Sequence, residues 1–224
     1  MRAARLLTSM AGAVALASIH AFAQTPTAQT PTAPTPAAPT PAAPTGGGLR
    51  DPSAFAGITD QAARSRALFT EAAKVITSPR CMNCHPAGDR PTQGNDMHAH
   101  LPPVARGDAG IGVPGNSCSA CHTEHNYTLA ERANYRSIPG HQRWGMAPIE
   151  MAWQGKSLGQ ICQQLKEPQR NGGRDLARLH EHAAGDDLVA WGWQPGEGRD
   201  PAPGTQQLFG ALVRAWIDTG AQCP

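Results

Sequence analysis

The chain has 224 residues, with 19 Lys plus Arg against 17 Asp plus Glu, six Cys and nine His. That length fits one modest domain, or one domain with a tail, and excludes a large multidomain machine. No two Lys or Arg are adjacent, so the formal charge of +2 forms no stripe of the kind a nucleic-acid binder concentrates. Aromatic residues make up only 5%, against 24 Gly and 21 Pro. So thin an apolar inventory makes a poor core unless something other than side chains fills it.

In chain order, residues 1–23 read as a secretory signal peptide. Arg2 and Arg5 form the positive start, Leu6 to Ile19 is mainly apolar, and Ala21-Phe22-Ala23 is a small-x-small cleavage pattern. An uncleaved signal would instead tether the protein to the membrane. No later segment approaches the ~18 apolar residues of a span, so the cleaved protein is expected to be soluble and periplasmic or otherwise exported. Loss of Arg2 and Arg5 leaves 17 basic and 17 acidic side chains. Residues 24–48 repeat Thr, Pro and Ala and end in Gly46-Gly47-Gly48. Without charge or large apolar side chains they are expected to be a disordered, extended spacer of roughly 75 Å at ~3.1 Å per residue. The folded domain is expected over 49–224.

Within it, Ala63, Leu68, Phe69, Ala72, Ala73, Val75 and Ile76 give an amphipathic helix over 53–77, stopped by Ser78-Pro79. Residues 80–157 are rich in Pro and Gly and predict loops with short helical turns. Ser157 and Gln160 form a capping box that opens a helix through Lys166, ended by Pro168. A short helix follows over 174–184. The last runs over 205–219, with Leu208, Phe209, Leu212, Val213 and Trp216 on one face and Gly220 as its end cap. No strand pair alternates convincingly. The expected class is mostly α with long loops.

Four cysteines sit in two copies of one pattern, Cys81-Met82-Asn83-Cys84-His85 and Cys118-Ser119-Ala120-Cys121-His122. Cys-x-x-Cys-His is the attachment site of c-type haem. Two thiols one helical turn apart can each bond a vinyl group of one porphyrin, and the next residue brings imidazole to the iron. A four-Cys zinc site usually places its knuckles about 15 to 20 residues apart, whereas Cys84 and Cys118 enclose 33. Zinc and paired disulfides both leave the two His unexplained; with nine His in 224 residues, chance supplies both in about 0.2% of cases. A thioredoxin-type motif needs a βαβ setting that is absent. Two covalently bound haem c groups are therefore the expected cofactors, with His85 and His122 as proximal iron ligands.

At these motifs, the helix before Cys81 and the stretch Leu212 to Ala221, the chain resembles the c-type cytochromes. It is also similar to a group of small exported di-haem proteins described as subunits of isoquinoline 1-oxidoreductase-type molybdenum hydroxylases. That likeness rests on Pro139-Gly140-His141, on Ala147 to Ser157, and on Asn171-Gly172-Gly173-Arg174-Asp175. It implies cytochrome c-like helices wrapped around two haems, and redox partner proteins that include a molybdenum hydroxylase-type dehydrogenase. The chain has no molybdopterin-sized domain and cannot itself be the hydroxylase.

Cys162 and Cys223 fit no motif, and in an oxidising compartment they are expected to pair as a structural disulfide. For the sixth iron ligands, His98 and His100 lie in an extended-looking stretch where both side chains point to one side. One of them is expected to bind, as in the small di-haem cytochromes of nitrate reductases that this arrangement resembles. For the other iron the candidates are His141, Met151, Met146, and His180 or His182, which flank the buried face of their helix equally. His125 is expected at the surface. The five Trp are expected to wall the porphyrins, and Arg or Lys near 166–178 to pair with propionates. No nucleophile or acid–base constellation appears, so electron transfer leads. A di-haem peroxidase or a haem-based redox or gas sensor is the alternative, each requiring an open iron position.

Overall fold

In the computed structural model, residues 48–128 and 137–224 are described and belong to one unit. The expected signal peptide and all but the last residue of the expected linker lie outside them. The described residues are mostly helical with long loops, as the sequence predicts: α1 Gln61–Ile76, α2 Pro79–Met82, α3 Leu158–Lys166, α4 Leu176–Gly185, α5 Asp187–Ala190 and α6 Gln206–Asp218. No helix among them is long and apolar enough to cross a membrane.

The helix expected from residue 53 begins later. Residues Pro52–Phe55 form a 3-10 turn, and Asp60 then caps α1 by accepting from the Ala63 amide at 2.6 Å, which stops the helix from running back through Gly57. The capping box of α3 is present in both directions. Asp175, not Arg174, opens α4 by accepting from the Arg178 amide. Thr205 caps α6, and Gly220 at φ +98° follows its end. The chain also forms two antiparallel pairs, β1 Thr92–Gln93 with β2 His98–Ala99 and β3 Gly112–Val113 with β4 Asn116–Ser117. Two-residue strands are too short for alternation to reveal them.

The core lies where α6 packs against α1 and α4. Trp216 of α6 meets Phe69 of α1 at 5.1 Å between ring centres, and Leu68, Ile161 and Leu212 are fully buried beside them. Gly210 permits a close approach of α4: a Cβ there would lie 2.5 Å from Ala184 Cβ and 2.9 Å from its Cα.

Two features anchor this bundle. Cys162 of α3 is joined to Cys223 by a disulfide. Closing a loop of 61 residues contributes about 4 kcal/mol on the chain-entropy account. Cys162→Ser together with Cys223→Ser is expected to lower unfolding stability by about that amount in a denaturant titration, and reductant is expected to reproduce the loss in the unmodified protein. The second is Glu71, buried on α1, which accepts from Lys74 Nζ at 2.7 Å and from the Arg50 amide and Nε at 3.0 Å. Burial on its own would raise the Glu71 carboxyl, but these bonds outweigh it and hold its pKa below the ordinary value. The folded pKa being the lower one, this stabilisation is present above the unfolded value near ~4.3 and is lost as pH falls through the folded value. Glu71→Gln is expected to remove that part of the acid sensitivity, seen as a flatter loss of stability below about pH 4.

Candidate metal-cofactor site

Each Cys-x-x-Cys-His segment opens a helical turn. Ser78-Pro79 starts α2, and the turn continues as Cys84 N–H donates to Cys81 O and His85 N–H to Met82 O, both at 3.1 Å. In the second copy a 3-10 turn spans Cys118–Ala120, and the Cys121 and His122 amides both donate to Cys118 O. The cysteines of each pair thus stand one turn apart. Burial pushes the Cys81 thiol up to about 12 and the Cys84 thiol up to about 11, and raises Cys118 as well. Thiols held neutral in this way are the opposite of the acidic thiolate a redox-active Cys-x-x-Cys employs. Among the described residues no three His, Cys, Asp or Glu side chains gather as a metal site, so the four sulfurs do not form one tetrahedral cluster.

The two histidines are held alike. His85 Nδ1–H donates to the Met151 carbonyl at 2.7 Å, and His122 Nδ1–H donates to the Pro139 carbonyl at 2.6 Å. A neutral imidazole that spends its proton on Nδ1 keeps the Nε2 lone pair for a metal. Burial lowers the pKa of both rings, that of His85 to about 4, so His85 is uncharged at neutral pH. Trp153 stacks on His85 at 3.5 Å and 2°, and Trp144 stacks on His122 at 4.8 Å and 17°.

One segment, residues 139–154, therefore supplies both carbonyl acceptors and both stacking indoles. It is sewn to the first motif by Ala147 N–H to Cys84 O and Trp153 N–H to His85 O. At the second motif Gly140 is required, because a Cβ there would overlap the His125 carbonyl oxygen. The Gly140 amide donates to Asn126 Oδ1, which also accepts from Trp191 Nε1. The sequence offers His141, Met146 and Met151 of this segment as iron ligands and its tryptophans as porphyrin walls; its role in holding the two imidazoles is not legible there, because the Met151 carbonyl lies 66 residues from His85.

Cys81, Cys84 and His85 open onto a cavity of ≈ 350 Å³, within the range of small-molecule and cofactor sites. Its walls are largely apolar and include Phe69, Val213 and Trp216, together with Trp144, Trp153 and Trp191. Trp193 does not line it; it packs on Phe209 and donates to Pro203 O. The expectation that tryptophans wall a porphyrin thus needs a refinement, since Trp153 and Trp144 also clamp imidazoles. Arg80 lines the cavity with a buried Nε that has no partner, and buried Trp153 Nε1 has none either. Unpaired buried donors are costly, and these two suit a carboxylate-bearing group. Of the basic residues near 166–178, Arg174 lines the cavity, whereas Arg170 pairs with Glu167 and Lys166 Nζ donates to Ala221 O. Paired thiols, an imidazole with free Nε2, apolar walls and unpaired donors are a donor set that fits a covalently attached haem.

The remaining candidates separate. His98 uses both ring nitrogens within its own hairpin, donating from Nδ1 to Asp96 at 2.6 Å and accepting at Nε2 from Gln93 at 3.0 Å. His100 donates from Nδ1 to Pro102 O at 2.9 Å and lies edge-on to His122, 5.9 Å between ring centres. The two are therefore not the equivalent pair that an extended strand suggests. His141 accepts at Nδ1 from the Arg143 amide and faces Asp187 through Nε2 at 3.5 Å, so both its nitrogens are engaged outside the cavity. Met151 lines the cavity, but its carbonyl ties it to the His85 side. Met146 and His182 line it too, and His180 does not. His125 is exposed. The two motifs are neighbours, since Trp144 both lines the first cavity and stacks on His122.

Comparison of the chain with models of known families, with curated proteins and with solved structures finds no match.

Proposed function

We propose that the chain is an exported electron-transfer protein carrying two c-type haems and serving a partner oxidoreductase. The observation that carries this reading is the doubled arrangement in which a Cys-x-x-Cys turn is followed by a His whose Nδ1 proton is spent on a backbone carbonyl. Cys81 and Cys84 would hold one porphyrin and Cys118 and Cys121 the other, with His85 and His122 as proximal ligands. When bound, each haem supplies a one-electron iron couple.

The chain's own residues do the rest. The Met151 and Pro139 carbonyls fix the tautomer and orientation of the two imidazoles and raise their basicity. Trp153 and Trp144 restrict ring rotation. The apolar walls exclude water from the first site and keep its dielectric low. His100, with Nε2 unengaged beside His122, would offer a second imidazole nitrogen to the group held at that site. Trp144 touches both sites, which keeps them close enough for exchange within the molecule. A molybdenum hydroxylase-type dehydrogenase is the partner class that the sequence resemblance suggests.

Optical and EPR spectroscopy of the purified holoprotein tests this reading. Two haems per chain with thioether-shifted bands are expected; one haem or none sinks it. Sustained peroxide turnover without a partner enzyme would transfer the assignment to a di-haem peroxidase.

A further inference from the structure

We propose that His182 is the second axial ligand of the iron centre built on His85, and that Asp186 and Arg143 position it. This rests on the two-haem reading above and deepens it. Asp175 opens α4, and burial of Leu179 and Ala183 against the core turns one flank of the helix to the cavity. His182 lies on that flank and lines the cavity that Cys81, Cys84 and His85 also line. His180, the sequence's equal candidate, does not. The approach of α4 to α6 at Gly210 and Ala184 fixes this choice, because it sets the rotation of the helix over the cavity.

The ring is prepared for ligation in the same way as the two proximal histidines. Its Nδ1–H donates to Asp186 Oδ2 at 3.1 Å, leaving the Nε2 lone pair unspent. Asp186 is itself fixed: its other oxygen accepts from Arg143 Nη2 at 2.8 Å and from the Leu188 amide at 2.8 Å. A carboxylate behind a ligating imidazole orients the ring and strengthens it as a donor. Arg143, which also pairs with Asp187, belongs to the 139–154 segment that holds both proximal imidazoles. The distal ligand of one site is thereby tied to the frame of the other. Of the competing residues, His141 uses both nitrogens on Arg143 and Asp187, and Met151, which lines the cavity, is tied by its backbone carbonyl to the proximal His85 and has no positioning partner for its sulfur among the described contacts. Met146 remains as the control, since it lines the cavity without a positioning partner for its sulfur among the described contacts.

The test uses full-length holoprotein variants, with haem count by pyridine haemochrome, ferric EPR, CO titration of the reduced protein, and redox titration. His182→Ala is expected to keep both haems but convert one from low to high spin and to bind one more CO per chain than the unmodified protein. His182→Met is expected to stay low-spin, to gain the methionine-to-iron charge-transfer band, and to raise one of two midpoint potentials. This variant decides the matter if the alanine variant does not accumulate. Asp186→Asn should keep both haems low-spin and shift the same potential upward, a change that a merely structural residue would not confine to one haem. Met146→Leu, a change in the cavity wall, should keep both haems low-spin and bind no additional CO. EPR and CO binding of His182→Ala that match the unmodified protein overturn the proposal, as does a high-spin haem in Met146→Leu. Fewer than two haems in the unmodified protein would instead overturn the two-haem reading itself.

Discussion

If the chain carries the two haems proposed above, replacing Cys81 and Cys84 together by alanine is expected to halve the covalent haem content, from two per chain to one, and to destabilise the fold severely. The matching change at Cys118 and Cys121 is expected to halve it equally at a much smaller cost in stability. Attachment should fail one site at a time because each pair stands in its own helical turn with its own imidazole and its own carbonyl acceptor. The asymmetry in stability follows from where the turns sit. The first cavity is walled by core residues of α1 and α6, among them Phe69, Val213 and Trp216, so losing its occupant strips the core of packing partners. The second turn sits among loops, with Cys121 exposed and its flanks held by short hairpins rather than by the helical bundle. Intact mass gives the haem count and thermal unfolding gives the ordering. Equal destabilisation by the two double variants would sink the assignment of one site to the core and one to its margin.

What the sequence could tell depended on how local the chemistry is. The Cys-x-x-Cys-His spacing is legible because one turn of backbone satisfies it, and Ser157 with Gln160 is legible because a capping box closes within three residues. The paired cysteines Cys162 and Cys223 could be expected from compartment and elimination, although 61 residues separate them. The carbonyls that orient the imidazoles are another matter. Any residue has a carbonyl, so nothing in the identity of Met151 or Pro139 marks it as the partner of His85 or His122 across 66 and 17 residues. Helical periodicity could not separate His180 from His182, because both flank the same buried stripe. The separation comes from a glycine on another helix, Gly210, and from Asp186 one turn on. His98 and His100 looked interchangeable for a related reason. A two-residue strand with Asp96 and Gln93 in reach captures His98 completely, and no alternation pattern announces so short a hairpin.

The second large effect concerns the chain without the haems proposed for it. Exported protein in which Cys81, Cys84, Cys118 and Cys121 are all replaced by alanine, with the Cys162–Cys223 disulfide intact, is expected to lose cooperative unfolding. At roughly 24 cal/mol per Å³ of unfilled closed core, the ≈ 350 Å³ beside His85 costs at most on the order of 8 kcal/mol, and less where it opens to solvent. That is comparable with the whole stability of an ordinary domain, about 5–15 kcal/mol. The disulfide contributes about 4 kcal/mol, which offsets half of that upper figure. Arg80 Nε and Trp153 Nε1 add unpaired buried donors at roughly 1–3 kcal/mol each. The capped helices α1, α3 and α6 retain their local signals, so the expected product is compact and partly helical without fixed packing. It should keep much of its far-UV circular dichroism, lose the near-UV signal of its tryptophans and bind a hydrophobic dye. A sharp calorimetric transition within a few degrees of the holoprotein would mean that the thin apolar inventory is a sufficient core by itself. In that case the porphyrins would be passengers in the fold and not part of what holds it together.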